Sequence, residues 1–121
     1  MKTYEDMCAE LTEANVKKVA AKTYGAAKKS GRLYKKYVLP IIKRVAKVGK
    51  KGGGLFMKKI VYPALKKVAK MILTQAGLYD AQSRDMEKLI NAMVDEMLMD
   101  SQTQAMLSME TIEEVRSVYK N

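Results

Sequence analysis

The stretch Lys35-Lys36-Tyr37-Val38-Leu39-Pro40-Ile41-Ile42-Lys43-Arg44-Val45-Ala46-Lys47 returns 23 residues later as Lys58-Lys59-Ile60-Val61-Tyr62-Pro63-Ala64-Leu65-Lys66-Lys67-Val68-Ala69-Lys70. Eight of the 13 positions are identical and two more are conservative, too many for chance composition, so one structural unit is used twice. At about 100° per residue, Tyr37, Val38, Ile41, Ile42, Val45, Ala46 and Val48 share one half of a helix, while Lys35, Lys36, Lys43, Arg44 and Lys47 take the other. The second copy inherits the split. Each helix therefore has one face to bury on protein and one to offer an anion. A weaker echo, Val16-Lys17-Lys18-Val19-Ala20-Ala21-Lys22, extends the pattern toward the N-terminus.

Working outward, glycines punctuate the helices. A first helix is predicted from Thr3, a plausible cap, to Lys29, stopped at Ser30-Gly31; a second covers Arg32 to Val48. Gly49-Lys50-Lys51-Gly52-Gly53-Gly54 breaks the chain as a flexible joint, and a third helix runs from Leu55 to Ala76, closed by Gly77. Pro40 and Pro63 occupy the same place in each unit. Proline lacks an N–H and crowds the carbonyl four residues back, so each either kinks a continuing helix or starts a shorter one. Both placements stand open.

Beyond Tyr79 the composition changes. Asp80 or Ser83 could cap a helix carrying Met86, Leu89, Ile90, Met93, Val94 and Met97 at helical spacing, and Thr111-Ile112-Glu113-Glu114 reads as a capping box for a last short helix. Methionines at 86, 93, 97, 99, 106 and 109 suit helix packing better than a peptide groove. No alternating run long enough for a strand occurs. The expected fold is all-α: an extended basic helical arm over 1–79, with units 35–47 and 58–70, and a small acidic helical segment over 80–121, its bundle completed by oligomerisation. Amphipathic helices lacking a partner leave their apolar faces wet, so the arm is expected to order on assembly.

Charge separates the same two regions. The net charge is +10, and from Ala14 to Tyr79 there are 18 Lys/Arg and no Asp or Glu. The tail from Asp80 carries nine acids against Arg84, Lys88, Arg116 and Lys120. A 66-residue stretch without an acid cannot satisfy its charges by internal ion pairs, which points to a polyanion. The candidate nucleic-acid-binding residues are Lys17, Lys18, Lys22, Lys28, Lys29, Arg32, Lys35, Lys36, Lys43, Arg44, Lys47, Lys50, Lys51, Lys58, Lys59, Lys66, Lys67 and Lys70. Together they could neutralise roughly 18 phosphates, about nine base pairs, which is a coating stoichiometry. Lysines act as point charges toward phosphate, whereas base reading favours arginine, and only Arg32 and Arg44 are arginine. Little sequence specificity is expected. Tyr24, Tyr34, Tyr37 and Tyr62 lie among the lysines; they suit the edge of an apolar face with hydroxyls toward water better than stacking on bases, which favours a duplex over a single strand.

Enzymatic chemistry finds little footing. The chain has no histidine and one cysteine, Cys8, which is either a small apolar residue or an intermolecular disulfide partner; no catalytic residue, metal site or cofactor is expected. The glycine run fails as a phosphate loop, because Leu55-Phe56 stand where Lys and Ser/Thr must be. Lysines interrupt every apolar run before the roughly 18 residues a membrane span needs. The N-terminus, with Glu5, Asp6, Glu10 and Glu13, lacks the pattern of a secretory signal.

With a basic arm over 35–47 and 58–70 and a helical segment over Met86–Tyr119, the layout resembles the major capsid proteins of filamentous archaeal viruses with linear double-stranded DNA, the rudivirus, lipothrixvirus and tristromavirus group. That resemblance is one of architecture. It implies an N-terminal arm wrapping duplex DNA, a C-terminal bundle packing between subunits, dimers clamping the DNA in the A form, self-association with or without a second related capsid protein, and a place in the virion, or in host cytoplasm or nucleoid before assembly. Two alternatives stand beside it: a cellular or viral chromatin protein that compacts DNA without a regular shell, and an amphipathic protein lying on anionic bilayers. Absence of tryptophan and a single phenylalanine, Phe56, leave poor interfacial anchors and make the membrane partner the weaker alternative.

Overall fold

The structure, a computed structural model, describes residues 13–120. Thr3, the predicted first cap, and Cys8 lie outside the described residues. Among those described every element is helical: α1 (Glu13–Lys28), a π-helical turn (Tyr34–Val38) leading into α2 (Leu39–Val48), a 3-10 turn (Gly49–Gly52), α3 (Gly53–Phe56), a second π-helical turn (Met57–Val61), α4 (Tyr62–Gln75), α5 (Met86–Leu98), α6 (Ser101–Met106) and α7 (Met109–Arg116). The fold is all-α, with an N-terminal helical region and a C-terminal set of three helices.

The repeat in sequence is a repeat in structure. Both π-turns begin 23 residues apart and end two residues before Pro40 or Pro63, each of which sits in the first turn of the α-helix that follows. The two placements left open by the sequence are thus combined: the helical path runs through the proline, and the proline opens a new α segment. In each turn the ladder widens, with Leu39 N–H donating to the Tyr34 carbonyl and Tyr62 N–H to the Met57 carbonyl, both five residues back. That widening makes room for a residue that lacks an N–H and would crowd the carbonyl four residues back.

Glycine geometry sets the breaks. Gly31 has φ 71°, so the chain leaves α1 where the sequence places the stop. The predicted flexible joint is an ordered connection, in which Gly49 (φ 55°) ends α2 and Gly53 (φ 64°) restarts the helix; a side chain at either would be strained. Gly77 (φ 75°) closes α4 with a full Schellman arrangement, Leu78 N–H to the Leu73 carbonyl and Gly77 N–H to the Thr74 carbonyl.

One hydrophobic cluster runs through both halves of the chain, from Val16, Ala20 and Tyr24 through Ile42 and Leu65 to Met93, Met97 and Ile112. α1 lies along α5, α4 also packs on α5, α2 touches α6, and the second π-turn meets α7. The apolar faces of the basic helices are therefore covered by the C-terminal helices of the same chain. Each helix has one apolar stripe, and stripes of opposing helices bury each other at about 25 cal/mol per Å² of apolar surface. Met86, Met93 and Met97 belong to this core, whereas Met99, Met106 and Met109 are exposed.

In the tail, Asp80 closes a turn, accepting from Gln82 N–H, and no side chain caps α5. α7 begins one turn earlier than the predicted capping box. Ser108 caps it by accepting from Thr111 N–H, which puts Thr111 inside the first turn. The short helix α6, capped by Asp100, was not foreseen.

Candidate nucleic-acid interface

Buried residues fix which way the basic side chains point. Tyr34, Val38 and Ile42 in the first unit, and Met57, Val61 and Leu65 in the second, are all at most 2% exposed and follow one another every four residues. Of the residues one and two positions beyond them, Lys35, Lys36, Pro40, Lys43, Arg44, Lys58, Lys59, Pro63 and Lys67 are exposed, whereas Leu39, Tyr62 and Lys66 are half-buried.

Fourteen of the 18 sequence-predicted basic residues are exposed: Lys17, Lys18, Lys22, Lys29, Arg32, Lys35, Lys36, Lys43, Arg44, Lys47, Lys51, Lys58, Lys59 and Lys67. Lys28, Lys66 and Lys70 are half-buried. The Lys66 ammonium lies 5.6 Å from the centre of the Tyr62 ring and that of Lys36 lies 5.3 Å from Tyr37, contacts at different places in the two units.

The ion pairs divide the molecule. Asp95 holds Arg116 Nε at 2.8 Å and Lys120 Nζ at 3.3 Å, Glu113 takes Arg116 Nη1, and Asp85 lies 3.8 Å from Lys88. Three tail acids thus pair with tail bases. Among the described residues Lys28 alone of the basic set is ion-paired, to Asp100 at 2.9 Å. Lys28 therefore serves an internal contact, and its ammonium is not freely offered to phosphate in this conformation.

Asp100 is the polar centre that sequence reasoning missed. Its carboxylate is buried, accepts from the Tyr24 hydroxyl at 2.7 Å and from Lys28, and caps α6 by accepting from Gln102 N–H at 2.9 Å. Burial pushes its pKa up, but the Lys28, Tyr24 and Gln102 hydrogen bonds outweigh burial and hold it below the usual carboxylate value. The signal available in the sequence was Asp100-Ser101 at a potential N-cap after an apolar run.

Three of the four tyrosines among the lysines do not point their hydroxyls at water. Tyr24 donates to Asp100, Tyr34 lies 2.8 Å from Thr103 Oγ1, and Tyr62 donates to Asn91 Oδ1. Thr103 spends its own proton on the Met97 carbonyl at 2.7 Å, so Tyr34 must be the donor. Tyr62 also stacks on Tyr119, with ring centres 5.5 Å apart. Three tyrosines from the basic region are thus anchored on α5, or on α6 with its cap, because a buried hydroxyl needs a partner and the C-terminal helices supply polar ones. Burial raises the Tyr24 and Tyr34 pKa values above the ordinary phenol value, and in this conformation neither ring can stack on a base.

Two open grooves flank α1. One, of about 530 Å³, is lined by apolar groups including Val19, Ala27, Ile72 and Leu78; the other, of about 910 Å³, includes Lys17, Asn91, Asp95 and Tyr119. In the second, the Tyr119 hydroxyl donates to Asp95 Oδ1 at 2.9 Å. Among the described residues no group of three or more carboxylates or cysteines is placed to hold a metal ion, and no helix is long and apolar enough to cross a membrane. No protein-family model matches the chain, and no curated protein or solved structure matches it.

Proposed function

We propose that this chain coats double-stranded DNA without sequence preference, as the nucleocapsid or capsid subunit of a filamentous particle. The observation that carries the reading is the pair of repeat units, each presenting exposed lysines that hold no ion pair among the described residues, on the face opposite a fully buried one. Cations fixed on rigid helices and lacking partner acids bind phosphate with a gain from counterion release, and that gain grows with their number. Asp85, Asp95 and Glu113 are paired with basic residues of the tail, not with those of the repeat units. The near-absence of arginine on that face argues for phosphate contact in place of base reading.

The test is a side-by-side titration of the full chain against two unrelated duplexes, a single strand of equal length and anionic vesicles, followed by electron microscopy of the duplex complex. Equal affinity for both duplexes, falling steeply with salt, supports the reading, and homogeneous filaments support the capsid role. Irregular bridging would move the assignment to a chromatin-type compacting protein. Retention by vesicles with none by duplex would overturn it.

A further inference from the structure

α1 and α4 both pack on α5, which lines no part of the groove between them. That groove, of about 530 Å³, is walled by Val19, Ala26 and Ala27 of α1 and by Ile72, Ala76 and Leu78 at the C-terminal end of α4. In a helical bundle this is the place of a fourth helix. The three alanines let a helix backbone come close. Two apolar walls open to water suit an amphipathic helix laid between them.

Charge restricts what can lie there. Both walls belong to the stretch from Ala14 to Tyr79 that holds no acid. Lys22 lines the groove, and Lys18 and Lys29, four residues before it and seven after, share its side of the helix. All three are exposed. The repeat units of a second copy would bring lysine against lysine. Residues 1–12, outside the described residues, have the opposite character. Tyr4, Met7, Cys8 and Leu11 recur at the spacing i, i+3, i+4, i+7, and Glu5, Asp6 and Glu10 fall outside that stripe. No glycine or proline stands before Gly25, so nothing in the sequence marks a turn that would bring this segment back along its own α1. The exposed methionines of a second copy fit less well. Met99 follows α5, Met106 ends α6 and Met109 opens α7, so they form no single stripe.

We infer that residues 1–12 of one copy lie as a helix in the α1–α4 groove of the next, with the apolar stripe inward and Glu5, Asp6 and Glu10 toward Lys18, Lys22 and Lys29. Each copy then offers one segment and one groove, a heterologous contact that adds copies head to tail. The repeat units take no part in it, so the inference goes beyond duplex coating and is tested without nucleic acid.

Two full-length variants separate the halves of the contact. Met7→Glu with Leu11→Glu disables the segment and keeps the groove; Ala26→Glu, at an exposed position, disables the groove and keeps the segment. In analytical ultracentrifugation at low salt, wild-type chain should form multimers that grow with concentration, and each variant alone should stay a monomer of 13.6 kDa. Mixed in equal amounts, the variants should give a species of twice that mass and nothing larger, because one intact segment meets one intact groove. Wild type that is still monomeric at about 1 mM, where even a contact of about −4 kcal/mol would show, overturns the inference. So does either variant assembling like the wild type, or a mixture that stays monomeric. Loss of multimers in Ala26→Glu alone would give the groove to another occupant, the exposed methionines first. Should circular dichroism show a variant unfolded, the smaller change Ala26→Cys decides the matter with Cys8, the one cysteine of the chain. Diamide, taking up the two thiol hydrogens, should join Cys8 of one copy to position 26 of the next and give a ladder of covalent multimers. Absence of a linked peptide between those positions overturns the inference and leaves the duplex reading untouched.

Discussion

Arg44→Ala combined with Lys67→Ala removes one cation from the corresponding place in each repeat unit. Both side chains are exposed and neither holds an ion pair among the described residues, so the fold should be indifferent: stability should change by no more than about 0.5 kcal/mol. Binding should not be. The logarithm of the binding constant falls with the logarithm of salt at a slope of about −0.9 per phosphate contact. At 0.1 M salt each contact is therefore worth about eightfold, and two are worth about sixtyfold. The double variant should lose that factor on any duplex of some 24 base pairs and flatten the salt slope by about 1.8, read by fluorescence anisotropy at four or five salt concentrations. Affinity and slope both within error of the wild type would mean that these units are not the binding surface, whatever their charge.

Asp100→Ala should destabilise the chain by about 3 kcal/mol in urea unfolding, because it removes a helix cap and leaves the buried Tyr24 hydroxyl and Lys28 without their acceptor. Thr103→Val should cost about 2 kcal/mol, since the Tyr34 hydroxyl and the Met97 carbonyl both lose their partner in the core. In acid, Asp95 and Asp100 set the limit. Both have folded-state pKa values held below the ordinary carboxylate value, so their contribution is complete above about pH 4 and lost as pH falls through the lowered values. Glu96, raised by burial and by the charge of Asp95, runs in the opposite sense and blunts the effect. In alkali, Tyr24 and Tyr119 are raised, so their stabilisation is complete below about pH 10 and lost above it; urea midpoints measured across pH should fall at both ends.

What the sequence made legible was whatever local chemistry decides. Ser30-Gly31 and Gly77 end helices because positive φ is cheap only for glycine, and the repeat shows in the spacing of its lysines and prolines. The side of each helix that carries most of the lysines followed from periodicity, although Ala46, placed with the apolar half, is exposed and Lys66 and Lys70 are half-buried. The π-turns did not, because whether a proline kinks a helix or widens it depends on which flanking residues the core holds in place. Tyr34 and Tyr62 show the same limit: their hydroxyl partners, Thr103 and Asn91, are 69 and 29 positions away. Lys28 was indistinguishable by sequence from its neighbours and was set apart only by Asp100 arriving beside it. The cover over the basic helices was equally hidden, since an apolar stripe does not say whether a copy or the chain's own tail will meet it.

The two π-turns have a consequence for how this chain could be lengthened. Because each unit resets its own phase, the outward direction of one does not depend on counting residues through the other. A third 23-residue module spliced in beside them would bring its own outward-facing cations, and the length of the basic face would grow in discrete increments. Duplication of such a module is thus a low-risk way to lengthen the chain.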